Sequence, residues 1–187
     1  MTVHAVVSAG ADHCALDALE LAQLQWEQFQ HDEKYHREIA RLTVHDRWKH
    51  MALHFAKYAG NLMGDPENPV RLQRTVVDTF VIALSTANTL NLRAEDALAS
   101  SVVAATTSSD FLKQLVLGSG RIAAPCEKLD HVEAFPFREE IMGAVSDLIA
   151  ASVTFASSQN WNLAALVRER LSAVKSKSLF HTKFLQE

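Results

Sequence analysis

Apolar residues along this chain recur every three to four positions far more often than every second one, so the pattern predicts helices almost throughout. A first helix is expected over about 12–42, with Asp12 as its N-cap after Gly10 and a break near His31–Tyr35. A second runs from Asp46 to Met63 and carries the apolar stripe Trp48, Ala52, Phe55, Ala59 and Leu62. The run GDPENP, from Gly64 to Pro69, stops it, and a third helix follows from Val70 to Leu90. Asn91 marks a turn into a fourth helix reaching about Thr106. SSD, ending at Asp110, caps a fifth that extends to about His131, although Gly118, Gly120 and Pro125 weaken it. FPF around Pro136 restarts the chain into a sixth helix ending near Gln159, and a seventh is expected from Asn162 to about Leu179. The expected class is therefore all-α, a bundle of about seven helices.

The third and sixth helices share an unusual pattern. Each is apolar on nearly every side and carries one carboxylate near its start, Asp78 and, sixty-nine residues later, Asp147. Asp78 shares a helical stripe with Ser85 and Thr89, and Asp147 shares one with Thr154 and Ser158. Such helices belong inside a bundle, and a carboxylate there needs a cation, a metal or several hydrogen-bond donors. With Asp78 placed over Asp147, Val76 meets Val145, Ala87 meets Ala156 and Asn91 meets Asn160 without a gap. Upstream, FAKYAGNL meets LVLGSGRI. These matches point to a diverged duplication: an N-terminal segment 1–44, a first unit 45–109, and a second unit 110–187 packed in the same bundle.

Composition narrows the class without naming a function. The 187 residues are 48% hydrophobic and 21% charged, with a formal charge of −4. Lys and Arg are scattered, so no electrostatic footprint for DNA or RNA stands out. Cys14 and Cys126 lie far apart and form no CxxC pair, which fits a reducing, cytoplasmic setting. No signal peptide is expected from the first residues, and no membrane span is expected; the stretch after Asp78 comes nearest, broken by Ser85, Thr86, Asn88 and Asn91.

The segment DTFVIALSTANTLNLRAEDAL, from Asp78, resembles the second conserved segment of the MazG-like all-α NTP pyrophosphatases, in which an ExxD motif opens a helix that ends in a turn and an acid-led restart. HFAKYAGNL resembles that family's first segment, where a Glu-Glu pair and a third Glu flank a Gly. The similarity covers about 45–107 and, more faintly, 112–176. It implies a fold built from such helical units, further assembly into a homo-oligomer, and a nucleotide as ligand. It also implies Mg²⁺ held by four carboxylates on two facing helices, which helps water attack the triphosphate. Here the Glu-Glu pair falls on Lys57 and Tyr58, the third Glu on Asn61, and the ExxD Glu on Thr75. In the second unit the same positions are Leu117, Gly118, Arg121 and Ala144. Only Asp78 and Asp147 remain as remnant metal positions, so Mg²⁺ is expected only if activity survives.

The resemblance thus implies a degenerate pyrophosphohydrolase relative with a nucleotide-binding or regulatory role. Lys57, Tyr58, Asn61 and Arg74 are the candidate substrate-binding residues, and Arg71 could add charge at the same bundle mouth. The alternatives are an active Mg-dependent pyrophosphohydrolase rearranged around Asp78, Asp147, Glu140 or the histidines, and a helical protein–protein interaction module. His50 and His54 stand at i, i+4, a spacing that can bind a transition metal, but they lie opposite the apolar stripe and read as a solvated polar face. His31, His36 and His45 add to a His-rich N-terminal third without a recognised metal signature. Glu140 reads as a helix-start acid.

Overall fold

The computed structural model describes residues 16–176 and residue 178, and among them are eight helices and no strand. In chain order these are α1 (Ala18–Tyr35), α2 (Arg37–Ala40), α3 (Val44–Met63), α4 (Pro69–Leu90), α5 (Ala94–Ser100), α6 (Ser108–Asp130), α7 (Phe137–Ser158) and α8 (Leu163–Lys175). The all-α bundle expected from the periodicity is the observed architecture. Asp12, the expected first cap, lies outside the described residues; within them α1 is capped by Asp17, which accepts from the Glu20 amide.

The two apolar helices, α4 and α7, pack against each other at the centre. α3 packs on α4, α6 packs on α7, and α3 and α6 pack on each other. The short third helices cross over: α5 lies on α7, and α8 lies on α4. α1 completes the arrangement by spanning α4, α5 and α8. On these two helices Phe80, Leu84, Val145, Ile149 and Phe155 are all essentially without solvent contact. Each such side chain stabilises the fold by about 1.5–3 kcal/mol relative to an exposed one.

Several hydroxyls on these central helices bond to backbone, whereas the buried Thr79 hydroxyl has no partner. Thr86 donates to the Ile82 carbonyl at 2.7 Å, Ser152 to Leu148 at 2.8 Å and Thr154 to Ala150 at 2.8 Å. α6 and α7 approach closely at Gly118, where a Cβ would lie 2.8 Å from the Leu148 side chain. α7 is also long and apolar enough to cross a membrane, unlike the expectation that the stretch after Asp78 came nearest. In the bundle it is covered by α4, α5 and α6.

Helix ends follow local chemistry. Thr43 caps α3 by accepting from the Asp46 amide, and Asn68 caps α4 ahead of Pro69. Thr107 and Asp110 form a capping box on α6, so the cap lies just before the SSD run. The fourth helix stops at Ser100 rather than reaching Thr106. The following residues are held extended by other bonds: the Val103 amide donates to Ser101 Oγ, and the Ala105 amide donates to Thr154 Oγ1 on α7 at 2.9 Å. The first expected helix breaks at His36, one residue beyond the anticipated zone.

α4 and α7 end in the same way. Asn91 takes φ 50° and Asn160 takes φ 55°, both left-handed. The Leu92 amide reaches back to the Ala87 carbonyl at 2.9 Å, and the Trp161 amide reaches back to Ala156 at 2.9 Å. Asn tolerates this conformation better than other side chains, and Gly tolerates it without steric penalty. Replacing Asn91 or Asn160 by Ala should therefore lower stability by about 1 kcal/mol, while Gly at either position should be close to neutral. Urea denaturation of the two pairs of variants checks this.

Candidate functional site

One cleft of about 830 Å³ opens between α1, α3, α4 and α8. α3 and α4 run antiparallel across the short loop at Asp65, so Lys57, Tyr58 and Asn61 of α3 come opposite Arg71, Arg74, Thr75 and Asp78 of α4. All the candidate positions of the first unit, Lys57, Tyr58, Asn61, Arg74 and Asp78, line this cleft. The histidines His31, His36, His50 and His54 line it as well. Asp147 is not part of it.

Asp78 is 7% exposed. Its carboxylate is met by Arg170 of α8, whose Nε donates to Oδ1 and whose Nη2 donates to Oδ2 at 3.2 Å. Arg74 adds a second guanidinium 3.7 Å away, one turn earlier on the same helix. The two-pronged contact holds the Arg170 guanidinium more firmly protonated than usual, chiefly through its hydrogen bond to Asp78. Tyr58, buried beside this pair, has its hydroxyl pushed well above the ordinary phenol range, first by burial and then by the Asp78 charge.

The histidine stripe of α3 is not a plain solvated face. Lys57 Nζ lies 3.3 Å from His54 Nδ1 and can only donate, so that nitrogen is the acceptor. Tyr58 Oη stands 3.0 Å from the same nitrogen. In the neutral ring the proton is then on Nε2, which points at His50 Nε2 across 3.1 Å. Burial, then the Lys57 charge and His50, push His54 down to about 4, with Asp78 opposing. His50 is lowered for the same leading reasons, burial and Lys57.

At the other end of the cleft α1 contributes Gln28, His31 and Asp32. Gln28 Nε2 donates to Asp32 Oδ1 at 2.9 Å, and Ser85 Oγ of α4 donates to Oδ2 at 2.5 Å. The hydroxyl below Asp78 on its stripe therefore serves a second carboxylate. His45 lies apart, 3.6 Å from Asp130.

Asp147 has a different setting. Ser101 Oγ donates to its Oδ1 at 2.7 Å, and Arg121 of α6 donates to Oδ2. Arg121 occupies the position opposite Asn61, and Ser101 stands at the position matched by Arg170 when the sixty-nine-residue offset is carried past the Asn turns. Glu140 is exposed in the first turn of α7. Gly118, which aligns with Tyr58, is closed against the Leu148 side chain.

These donors do not suit Mg²⁺. That ion takes hard oxygen ligands, usually carboxylates with water. Among the described residues no three His, Cys, Asp or Glu side chains gather as a metal set. Asp78 is already engaged by arginine, and Lys57 adds a positive charge to the same cleft. Comparison with protein-family models, with characterised proteins and with solved structures finds no match to this chain.

Sequence reasoning missed Gln28, His31, Asp32 and Arg170 as cleft residues. Only Arg170 had a signal, through the repeat offset that also brings Ser101 to Asp147.

Two outcomes follow from these charges. Arg170→Ala leaves Asp78 buried with only the more exposed Arg74 nearby, and should destabilise the fold by about 2 kcal/mol. Asp78→Asn should recover part of that loss, and a double-mutant cycle by denaturant unfolding measures the coupling. His54 has a folded pKa below its unfolded value, so the unfolded chain binds more protons between about 6.5 and about 4. Stability should rise with pH across that window and level off above it. His54→Gln should flatten that slope in unfolding measured at a series of pH values.

Proposed function

We propose that this chain is a diverged MazG-like protein, built from two fused helical units, that binds a phosphorylated ligand such as a nucleotide and does not hydrolyse it efficiently. The observation that carries the reading is the charge of the cleft. Lys57, Arg71, Arg74 and Arg170 line it against the carboxylates Asp32 and Asp78, so cations outnumber anions in a chain whose formal charge is −4. Arg170 is spent on Asp78, so the cationic end consists of Lys57 with Arg71, 3.7 Å from Asp65, and Arg74, 3.7 Å from Asp78. Exposed guanidinium and ammonium groups lining one cleft mouth favour phosphate oxygens.

The duplication is supported by the left-handed Asn91 and Asn160, by the reciprocal crossing of α5 and α8, and by the matched partners Ser101 and Arg170. Inactivity is supported by the donor set, since a metal-assisted attack on a triphosphate needs several carboxylates on one ion. One ligand per chain is expected, at the cleft lined by Lys57, Arg74 and Asp78.

Isothermal titration of the full chain with inorganic tripolyphosphate and with nucleoside triphosphates tests the reading. Binding should saturate at one site per chain. Lys57→Ala and Arg74→Ala should each weaken it about tenfold or more, the worth of one charge-assisted hydrogen bond of about 1.5–3 kcal/mol. With Mg²⁺ present, pyrophosphate should not accumulate. Pyrophosphate release by the unmodified chain that disappears in Asp78→Ala would establish the hydrolase alternative instead.

A further inference from the structure

The phosphate reading leaves one end of the cleft unexplained. Asp32 lines it with a side chain 16% exposed. Asp78 and Asp147 each have an arginine, yet among the described residues no Arg or Lys pairs with Asp32. Its fixed partners are the neutral Gln28 amide and the Ser85 hydroxyl. Each carboxylate oxygen therefore keeps acceptor capacity, and the nearest imidazole, His31, is 3.9 Å away.

The neighbours deepen the same bias. His31 Nε2 lies 3.2 Å from the Leu171 carbonyl, which only accepts, so Nε2 carries the proton. The other nitrogen of the neutral ring, Nδ1, is then an acceptor, and it has no hydrogen-bond partner. Gln28 Oε1 is a buried acceptor in the same condition. Both side chains line the cleft beside Asp32. Buried acceptors without donors are costly, and a carboxylate flanked by them favours a group that brings N–H donors only.

The two ends are far enough apart for one molecule to touch both. From Arg74 to Ser85, which holds Asp32, α4 rises about 16 Å. An extended nucleoside polyphosphate has that reach, with its phosphates at one end and its base edge at the other. Among the common bases, guanine alone presents two adjacent N–H donors, N1–H and the 2-amino group, which match the two oxygens of a carboxylate. Adenine and cytosine place a ring acceptor beside their amino group, and uracil flanks its one N–H with carbonyls.

We propose that the cleft binds a guanine nucleotide lengthwise, the base donating to Asp32 and the phosphates lying toward Lys57, Arg71 and Arg74. The proposal rests on the phosphate-binding reading above. The test titrates the full chain with GTP, ITP, ATP and inorganic tripolyphosphate. ITP lacks only the 2-amino donor of GTP, so GTP should bind at least tenfold more tightly than ITP, and more tightly than ATP. Asp32→Asn, which turns a donor toward N1–H, should bring GTP down to the ITP level and leave tripolyphosphate binding unchanged. Equal affinities for GTP, ITP and ATP on the unmodified chain would overturn the guanine assignment while leaving the phosphate end intact. Absence of tripolyphosphate binding together with absence of nucleotide binding would remove both. The ligand series on the unmodified chain decides the matter even if Asp32→Asn does not fold.

Discussion

Asp78 sits on a helix whose remaining faces are almost wholly apolar, and a carboxylate in such a place must be met by positive charge or by several donors. The group that meets it, Arg170, comes from the last described helix. To deliver it, α8 must lie on α4, and in lying there it forms one wall of the cleft. Charge neutralisation and site construction are thus one event. A guanidinium suits the task because its planar fork engages both carboxylate oxygens. The same engagement occupies both oxygens of Asp78, so the pair that steadies the fold also closes that carboxylate to a divalent ion.

The histidines belong to the same electrostatic balance. Lys57 is held against His54, and His54 against His50, so the α3 face passes from cation to neutral ring to neutral ring toward the carboxylate of Asp32. Burial and the nearby lysine keep His54 uncharged at neutral pH. The cleft therefore has a gradient of charge along its length rather than a uniform sign.

Much of the fold was legible because helical periodicity is a local property. The stripe Trp48, Ala52, Phe55, Ala59 and Leu62 fixes the inner face of α3, and all five are buried. The end of α5 was not legible, because Ser101 and Ala105 leave the helix for partners on α7 that lie far along the chain. The candidate residues on α3 and α4 could be found because a short loop makes those helices neighbours. Gln28, His31, Asp32 and Arg170 could not, since periodicity tells which residues share a face and not which faces of distant helices meet. His50 and His54 illustrate the same limit: they lie opposite the apolar stripe, and that side forms one wall of the cleft whose far end carries Gln28, His31 and Asp32 of α1.

The reciprocal crossing of α5 and α8 has a consequence for how the chain holds together. Each short helix is tied to its own unit by sequence and to the other by packing. A border drawn near residue 109 is thus not a border of mechanics. Severing the backbone there would separate Asp78 from Arg170 and Asp147 from Ser101 in a single stroke, leaving Asp78 with only the more exposed Arg74 and Asp147 with only Arg121. The halves are interlocked like clasped hands, and the cleft exists only while the grip is closed.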